Sequence, residues 1–418
     1  MLSTLRNAWK VSELKKKFLW TIVLVAIFRM GSHIPVPGIS PEVLGGLAGS
    51  NTIFGFYDLM SGGAFSQFSV LALGVTPYIN ASIILQLLKV VVPTLEQWSK
   101  EGEEGYKKMN KLTRVLTVAL GFFQACGMAW GLKMAINNPG IFSILLIATT
   151  LTAGTVFLMW IGEQITAKGV GNGISLIIFA GIVSRLPEGL QIIFQYLQAG
   201  TVNLLNVILF AVIALAMIVF VILISQGVRK IPIQYAKRVV GKRLYGGHSS
   251  YIPLKVNQAG VIPIIFASSV LMFPTTIAQF VDVPWVKTVG QWFAWGTPLQ
   301  TTCYVLFILF FTYFYTAVSL NITDMSDNIK KNGGFIPGMR PGKPTTDYLD
   351  KVMSRITLAG AIFLALIALM PNVIGWMTRI EGIYFGGTAL LIVVGVALDT
   401  MKQIESLVLQ RHYHGFMK

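Results

Sequence analysis

The side chains able to do chemistry are few in this 418-residue chain, and their spacing serves no familiar reaction. His33 ends an apolar run, His248 lies in a loop, and His412 and His414 lie in the tail, so none has the setting of a metal site. The apolar runs hold no paired carboxylates, no HExxH, no GxSxG and no phosphate-cradling Gly-rich loop. Cys126 and Cys303 sit inside apolar runs, where a thiol behaves as a small hydrophobe. Glu163 ends another run within reach of Lys168 and reads as an interfacial pair rather than a proton relay. No enzyme and no cofactor are expected from this inventory. Ion coupling fares no better: transporters place ionisable groups near mid-membrane, and Asp58 is the sole candidate.

What recurs instead is aliphatic. Val75 and Ile79 stand four residues apart, as do Ile174 and Ile178, so each pair shares one helix face. A constriction of β-branched aliphatics offers no hydrogen bond and would gate by dewetting. The same spacing also serves ordinary helix packing, and spacing alone does not choose between the two.

These residues must be held by membrane spans. The chain is 54% hydrophobic and 12% charged, where soluble domains carry about 25% charged residues. Apolar runs near the roughly 20 residues that a bilayer requires number ten. They are 18–34, 71–92, 112–135, 141–164, 174–193, 204–225, 259–280, 302–320, 356–377 and 384–401, with Pro187 and Glu188 able to end the fifth early. Lys15, Lys16 and Lys17 precede the first run as in a signal sequence, but no small-residue cleavage site follows, which indicates a retained span. Alternating the spans from an inside N-terminus puts 28 of the 33 Lys and Arg residues on one side. The other side receives only Lys133, Arg185, Lys287 and Arg379, with Arg29 inside the first span. This asymmetry marks the cytoplasmic face and places both termini there. Trp20, Trp130, Trp160 and Trp376 near span ends, and Trp285, Trp292 and Trp295 in an outer loop, read as an interfacial belt.

Ten spans divide into five and five, and duplicated halves of odd number must be inverted about an axis in the membrane plane. Between such halves lies a seam, and residues 53–92 are the candidate to fill it. Their first part carries Gly55, Asp58, Gly62 and Gly63, which a lipid-facing helix would not choose, so a half-inserted loop leads into a full helix. Irregular backbone at that depth needs protein or water around it. Gly74, Pro77, Gly260 and Pro263 weaken the spans where the halves could part, and Gln86 and Asn257 could hydrogen-bond across a helix contact as a latch. Two cytoplasmic loops exceed what insertion needs. Residues 231–245 partly alternate apolar and polar before Gly246 and Gly247, a short hairpin bearing Lys237, Arg238, Lys242 and Arg243. Residues 335–345 form a Pro/Gly-punctuated tip with Arg340 and Lys343. Both tips suit an anionic partner, RNA or an acidic protein surface.

Seven segments carry a family resemblance: FRMGSHIPVPG (28–38), MSGGAFSQFSVLALGVTPYINASIILQLL (60–88), GEQITAKGVGNGIS (162–175), YAKRVVGKRLY (235–245), PLKVNQAGVIPIIFASS (253–269), FIPGMRPGKPT (335–345) and YFGGTALLIVV (384–394). On these the chain resembles the SecY family, central subunits of protein-translocation channels, over essentially its whole length. The resemblance implies an all-α polytopic membrane protein with ten transmembrane helices in two inverted five-helix halves around an hourglass pore. Residues 1–228 would hold the first half and the sixth span, 229–258 the basic loop, 259–401 the last four spans with the loop 323–355, and 402–418 a cytoplasmic tail.

It also implies a pore ring of Val75, Ile79, Ile174, Ile178, Ile265 and Ile392. A plug over about residues 54–69 would include Phe54, Gly55, Phe56, Tyr57, Asp58, Leu59, Met60, Ser61, Gly62, Gly63, Ala64 and Phe65. A lateral gate would open near Gln86 and Asn257 between the second and third spans and the seventh and eighth. Arg340, Lys242 and Arg243 match loop positions that family members present to the ribosome or to the SecA motor ATPase. SecE and SecG would be partner subunits, signal peptides and unfolded precursors the cargo, and a bacterial plasma membrane, rather than a thylakoid, the location. Two other classes stay open on the residues: a secondary transporter built on inverted repeats, and a membrane-embedded enzyme.

Overall fold

Each of the ten apolar runs is helical over most of its described length in the computed structural model, which describes residues 11–39, 58, 61–132, 136, 140–235, 238–240, 243–245, 249–280, 283–294, 297–378 and 387–415. The helices of the first half are α1 (Ser12–Gly31), α2 (Thr76–Val91), α3 (Pro93–Lys100), α4 (Glu103–Gly131), α5 (Ile141–Lys168), α6 (Gly173–Ser184) and α7 (Leu186–Gln198). The second half starts with α8 (Leu204–Gln226) and, after the strands of the basic loop, continues with α9 (Ile262–Phe280), α10 (Pro284–Trp292), α11 (Pro298–Ser319), α12 (Ile322–Lys331), α13 (Lys343–Thr378) and α14 (Gly387–Gly415).

Local chemistry explains the breaks. Pro in the first turn of α2, α3, α7, α10 and α11 supplies a preset φ where no backbone donor is needed. Val92 is driven extended by Pro93, and α3 leaves α2 at 102°. The expected fifth span is likewise divided, at Arg185, before Pro187 in the first turn of α7. The expected second span begins late: residues 71–75 are turns, Gly74 takes φ +58°, and Val75 caps the helix instead of lying within it. At the other end of the chain α14 runs on to Gly415, so the described part of the expected tail is helical.

Among the described residues, six helices or helix pairs are long and apolar enough to cross a bilayer by themselves, and the bent α2–α3 pair makes a seventh. On α8 only Met217 and Val221 are buried while Leu205, Ile208, Val212 and Leu215 are exposed, the pattern of a helix facing hydrocarbon. Packing is densest within each half, α4 against α2 and α5, and α11 against α9 and α13. The halves meet along two lines, α6 against α14 and α9 against α2 and α4. That is the seam.

The basic loop differs from the expected hairpin. Strand β1 (Val228–Tyr235) pairs antiparallel with β4 (Ser249–Lys255) from Val228↔Lys255 to Gln234↔Ser249, and a second small hairpin, β2 (Arg238–Val240) with β3 (Arg243–Tyr245), lies between them. Ile231 and Ile233 alternate with exposed Lys230, Pro232 and Gln234, as the sequence pattern requires of a half-buried strand. Strand β5 (Gly334–Phe335) adds to β1 at Gln234 and Tyr235, joining the two cytoplasmic loops over a small core of Ile231, Leu254, Ile336 and Leu349.

Candidate functional site: an aliphatic waist between two helical halves

Four helices supply the waist. Asn172 caps α6, its side chain accepting from the Ser175 backbone N–H at 3.2 Å, and a Cβ on Gly173 would lie 1.9 Å from the Gly162 carbonyl oxygen. Only glycine permits that approach of α6 to α5, and it fixes the height of Ile174 and Ile178. On α2, the Ile79 N–H donates to the Val75 carbonyl at 3.1 Å, so the two side chains stack one turn apart. Ile265 comes from α9 and Ile392 from α14.

The structure brings all six together. Val75, Ile79, Ile178, Ile265 and Ile392 belong to one contiguous apolar cluster, none more than 9% exposed, and Ile174 packs against it. Both halves contribute to this cluster, which draws on most of the helices, and Ile174 is partly exposed at its margin. On one side of the cluster, next to β4, lies a cavity of about 360 Å³ lined by Asn172, Ser175, Lys255, Asn257, Gln258 and Asp399. This polar vestibule was not foreseen from the sequence, because its lining comes from the ends of elements far apart in the chain.

On the other side sits the expected plug. Of its residues, Asp58, Ser61, Gly62, Gly63, Ala64 and Phe65 are described, whereas Phe54, Gly55, Phe56, Tyr57, Leu59 and Met60 lie outside the described residues. Ala64 belongs to the central cluster. Phe65 and Phe68 are buried in a second cluster with Ala129 and Leu132 from α4 and its end and Ile144 from α5. Asp58 is 3% exposed: its carboxylate pairs with the Arg185 guanidinium and accepts from the Ser66 N–H at 2.7 Å. Arg29 donates to the Gly62 carbonyl at 2.7 Å. Sequence reasoning missed both arginines, although each was visible as a basic residue off the cytoplasmic side.

Two expected pairings are corrected. Glu163 pairs not with Lys168 but with Arg114, accepting from Nε and Nη2 at 2.8 Å each, because α4 brings that guanidinium alongside α5; Lys168 lies over the Trp20 ring at 5.8 Å. Among the described residues no hydrogen bond joins Gln86 to Asn257, whose buried carbonyl oxygen has no partner at the vestibule wall. The docking residues are partly in view. Arg340 and Lys343 are exposed at the loop tip, where the Thr345 hydroxyl donates to the Arg340 carbonyl at 2.8 Å; Arg238 and Arg243 lie in β2 and β3; Lys237 and Lys242 lie outside the described residues.

Comparison with known proteins supplies the context. The SecY family model matches residues 69–401. The protein translocase subunit SecY of Halalkalibacterium halodurans is 48% identical with both chains fully covered, and that of Escherichia coli K12 is 44% identical over 98% of this chain and 95% of its own. Among solved structures, one described as a protein-conducting channel aligns at TM-score 0.66 and 18% identity over 94% of this chain and 92% of that one. A second, described as showing that the plug domain of the SecY protein stabilises the closed state and maintains a membrane seal, aligns at TM-score 0.68 with the same identity and coverage.

Proposed function

The chain belongs to the SecY family, and from that premise we propose that it is the channel subunit of a protein translocase, passing unfolded polypeptide through the aliphatic waist and releasing apolar segments sideways into lipid. It is a multi-pass protein of the bacterial membrane. The reading is supported by one apolar cluster to which helices of both halves contribute, the six aliphatics in or against it, with the cavity lined by Asn172, Ser175 and Asn257 beside it and Ala64 of the plug segment within it.

An aliphatic ring suits this task because it makes no selective polar bond: it can close around many side chains and stay dry when none is present. The ring residues are Val75, Ile79, Ile174, Ile178, Ile265 and Ile392, with residues 54–69 as plug. The line where α9 meets α2 and α4 is the gate toward lipid, with Gln86 and Asn257 on its polar edge. Separation there exposes the waist sideways, and a sufficiently apolar segment leaves for hydrocarbon. The two halves are inverted relatives, both termini are cytoplasmic, and SecE and SecG complete the membrane complex. Arg340, Lys343 and the basic hairpin are the docking surface for the SecA motor ATPase or a translating ribosome, a reading supported by β5, which ties the loop bearing Arg340 to strand β1 of the basic loop. Ribosomal RNA is the anionic surface that a ribosome would offer them.

The test is transport. The chain reconstituted with SecE and SecG in vesicles, given SecA, ATP and an unfolded secretory precursor, should move the precursor to a protease-protected space. Precursor that stays fully digestible under those conditions contradicts the proposal.

A further inference from the structure

Among the described residues, the side-chain hydrogen bonds and ion pairs that hold the plug from outside come from the first half of the chain. Arg29 of α1 holds the Gly62 carbonyl, and just beyond α1 the His33 ring meets the Gln67 side chain at 2.9 Å. The Val36 N–H donates to the Phe68 carbonyl at 2.9 Å. Arg185, at the break between α6 and α7, bonds the Asp58 carboxylate and, at 3.1 Å, the Ser66 hydroxyl, and it also pairs with Glu188. Phe65 and Phe68 are likewise buried in a cluster with residues of α4 and α5, whereas Ala64 lies in the central cluster shared by both halves. Backbone contact agrees: a Cβ on Gly62 would lie 2.7 Å from the Gly181 Cα of α6.

We propose that Arg185 is the positioning residue that seats the plug, clamping it to the first half so that parting the two halves does not by itself release it. The inference rests on the channel reading above. Arg185 suits the role because its planar fork reaches Asp58, Ser66 and Glu188 at once, which the point charge of a lysine would not do. It is also costly to break on one side only, since Asp58 would remain buried and uncompensated. Charge placement supports the assignment. Of the five basic residues that the sequence places off the cytoplasmic face, Arg29 and Arg185 are the two whose side chains are described, and both bond the plug. Topology does not account for a cation on the outer side, whereas a partner in the plug does.

The test uses the full chain with its partner subunits in planar bilayers, reading resting ion conductance without precursor and precursor transport in parallel vesicles. Arg185→Gln should raise resting conductance on the order of 100-fold, the scale set by removing one partner of a buried ion pair. Adding Asp58→Asn to that variant should reverse most of the leak, because both charges then leave together and the uncharged pair can still hydrogen-bond. General loosening of the fold would give additive losses instead. Arg114→Gln, which breaks a solvent-exposed ion pair away from the plug, should stay within a few-fold of the parent. An Arg185→Gln channel that transports precursor with parental resting conductance, or a double variant that leaks more than the single, overturns the clamp and leaves the channel reading standing. A parent complex that transports no precursor overturns that reading and the clamp with it.

Discussion

Ile178→Asn perturbs the waist where it is well sealed. The side chain is 3% exposed in the central cluster, one turn beyond Ile174 on α6 and three residues before Gly181, which the plug touches. Deleting a buried isoleucine forfeits about 1.5–3 kcal/mol of apolar burial, and an amide left unpaired in its place costs about 1–3 kcal/mol more. Both terms weigh on the dry state and lapse once water enters, so the wetted state gains roughly 3–6 kcal/mol in relative terms. Since about 1.4 kcal/mol is a factor of ten, the conducting fraction should rise about 100-fold or more. The assay is resting ion current through the reconstituted channel in a planar bilayer, with no precursor present. Ile356→Asn is the control, because Ile356 is 8% exposed in the separate cluster beneath the cytoplasmic loops, which holds neither waist nor plug residues. It should lower stability by a similar amount and pass no extra current. A transport-competent Ile178→Asn channel with parental current, or an Ile356→Asn channel that leaks as much, would refute the assignment of the seal to the central cluster.

Reversing the exposed charge in Arg340→Glu should cut partner-driven transport at least tenfold while the protein still inserts and assembles, and normal transport would remove the docking role. Gly154→Ala on α5 places a methyl where the ideal Cβ lies 1.9 Å from the Val70 carbonyl oxygen. It should displace the segment between plug and α2 and cost about 1–3 kcal/mol, read as earlier thermal unfolding together with a raised resting current; unchanged melting would contradict that close approach. Arg114→Ala removes a bidentate pair whose side chains are 55% and 29% exposed, so solvent screening limits the loss to below about 1 kcal/mol. Transport should be unaffected, and a large loss of stability would show that the pair is less screened than its exposure indicates.

The ten helices were legible because a bilayer demands long apolar runs, and the turn-rich loops because Pro and Gly mark where regular structure stops. Long-range pairing was not. Strand β5 joins β1 through residue pairs 101 and 99 positions apart, Gln234 with Phe335 and Tyr235 with Gly334, and no local pattern announces such a partner. Glu163 shows the same limit: the nearest cation in sequence is Lys168, but the helix that packs beside it brings Arg114 from 49 residues away. Val75, Ile79, Ile174 and Ile178 carried a helical spacing that suggested a shared face, whereas Ile265 and Ile392 were reached only through the family resemblance. The two plug-holding arginines were visible as exceptions to the charge asymmetry, yet an exception names no partner. That required knowing that α1 and the α6–α7 break converge on the same loop.

The central claim is that a translocating chain threads the aliphatic cluster. A photo-crosslinking residue placed at position 79 or 178, with a precursor stalled partway through the reconstituted channel, measures this directly. The account predicts adducts to the precursor from both positions and none from position 144. Adducts absent from 79 and 178, or as strong from 144, would contradict it.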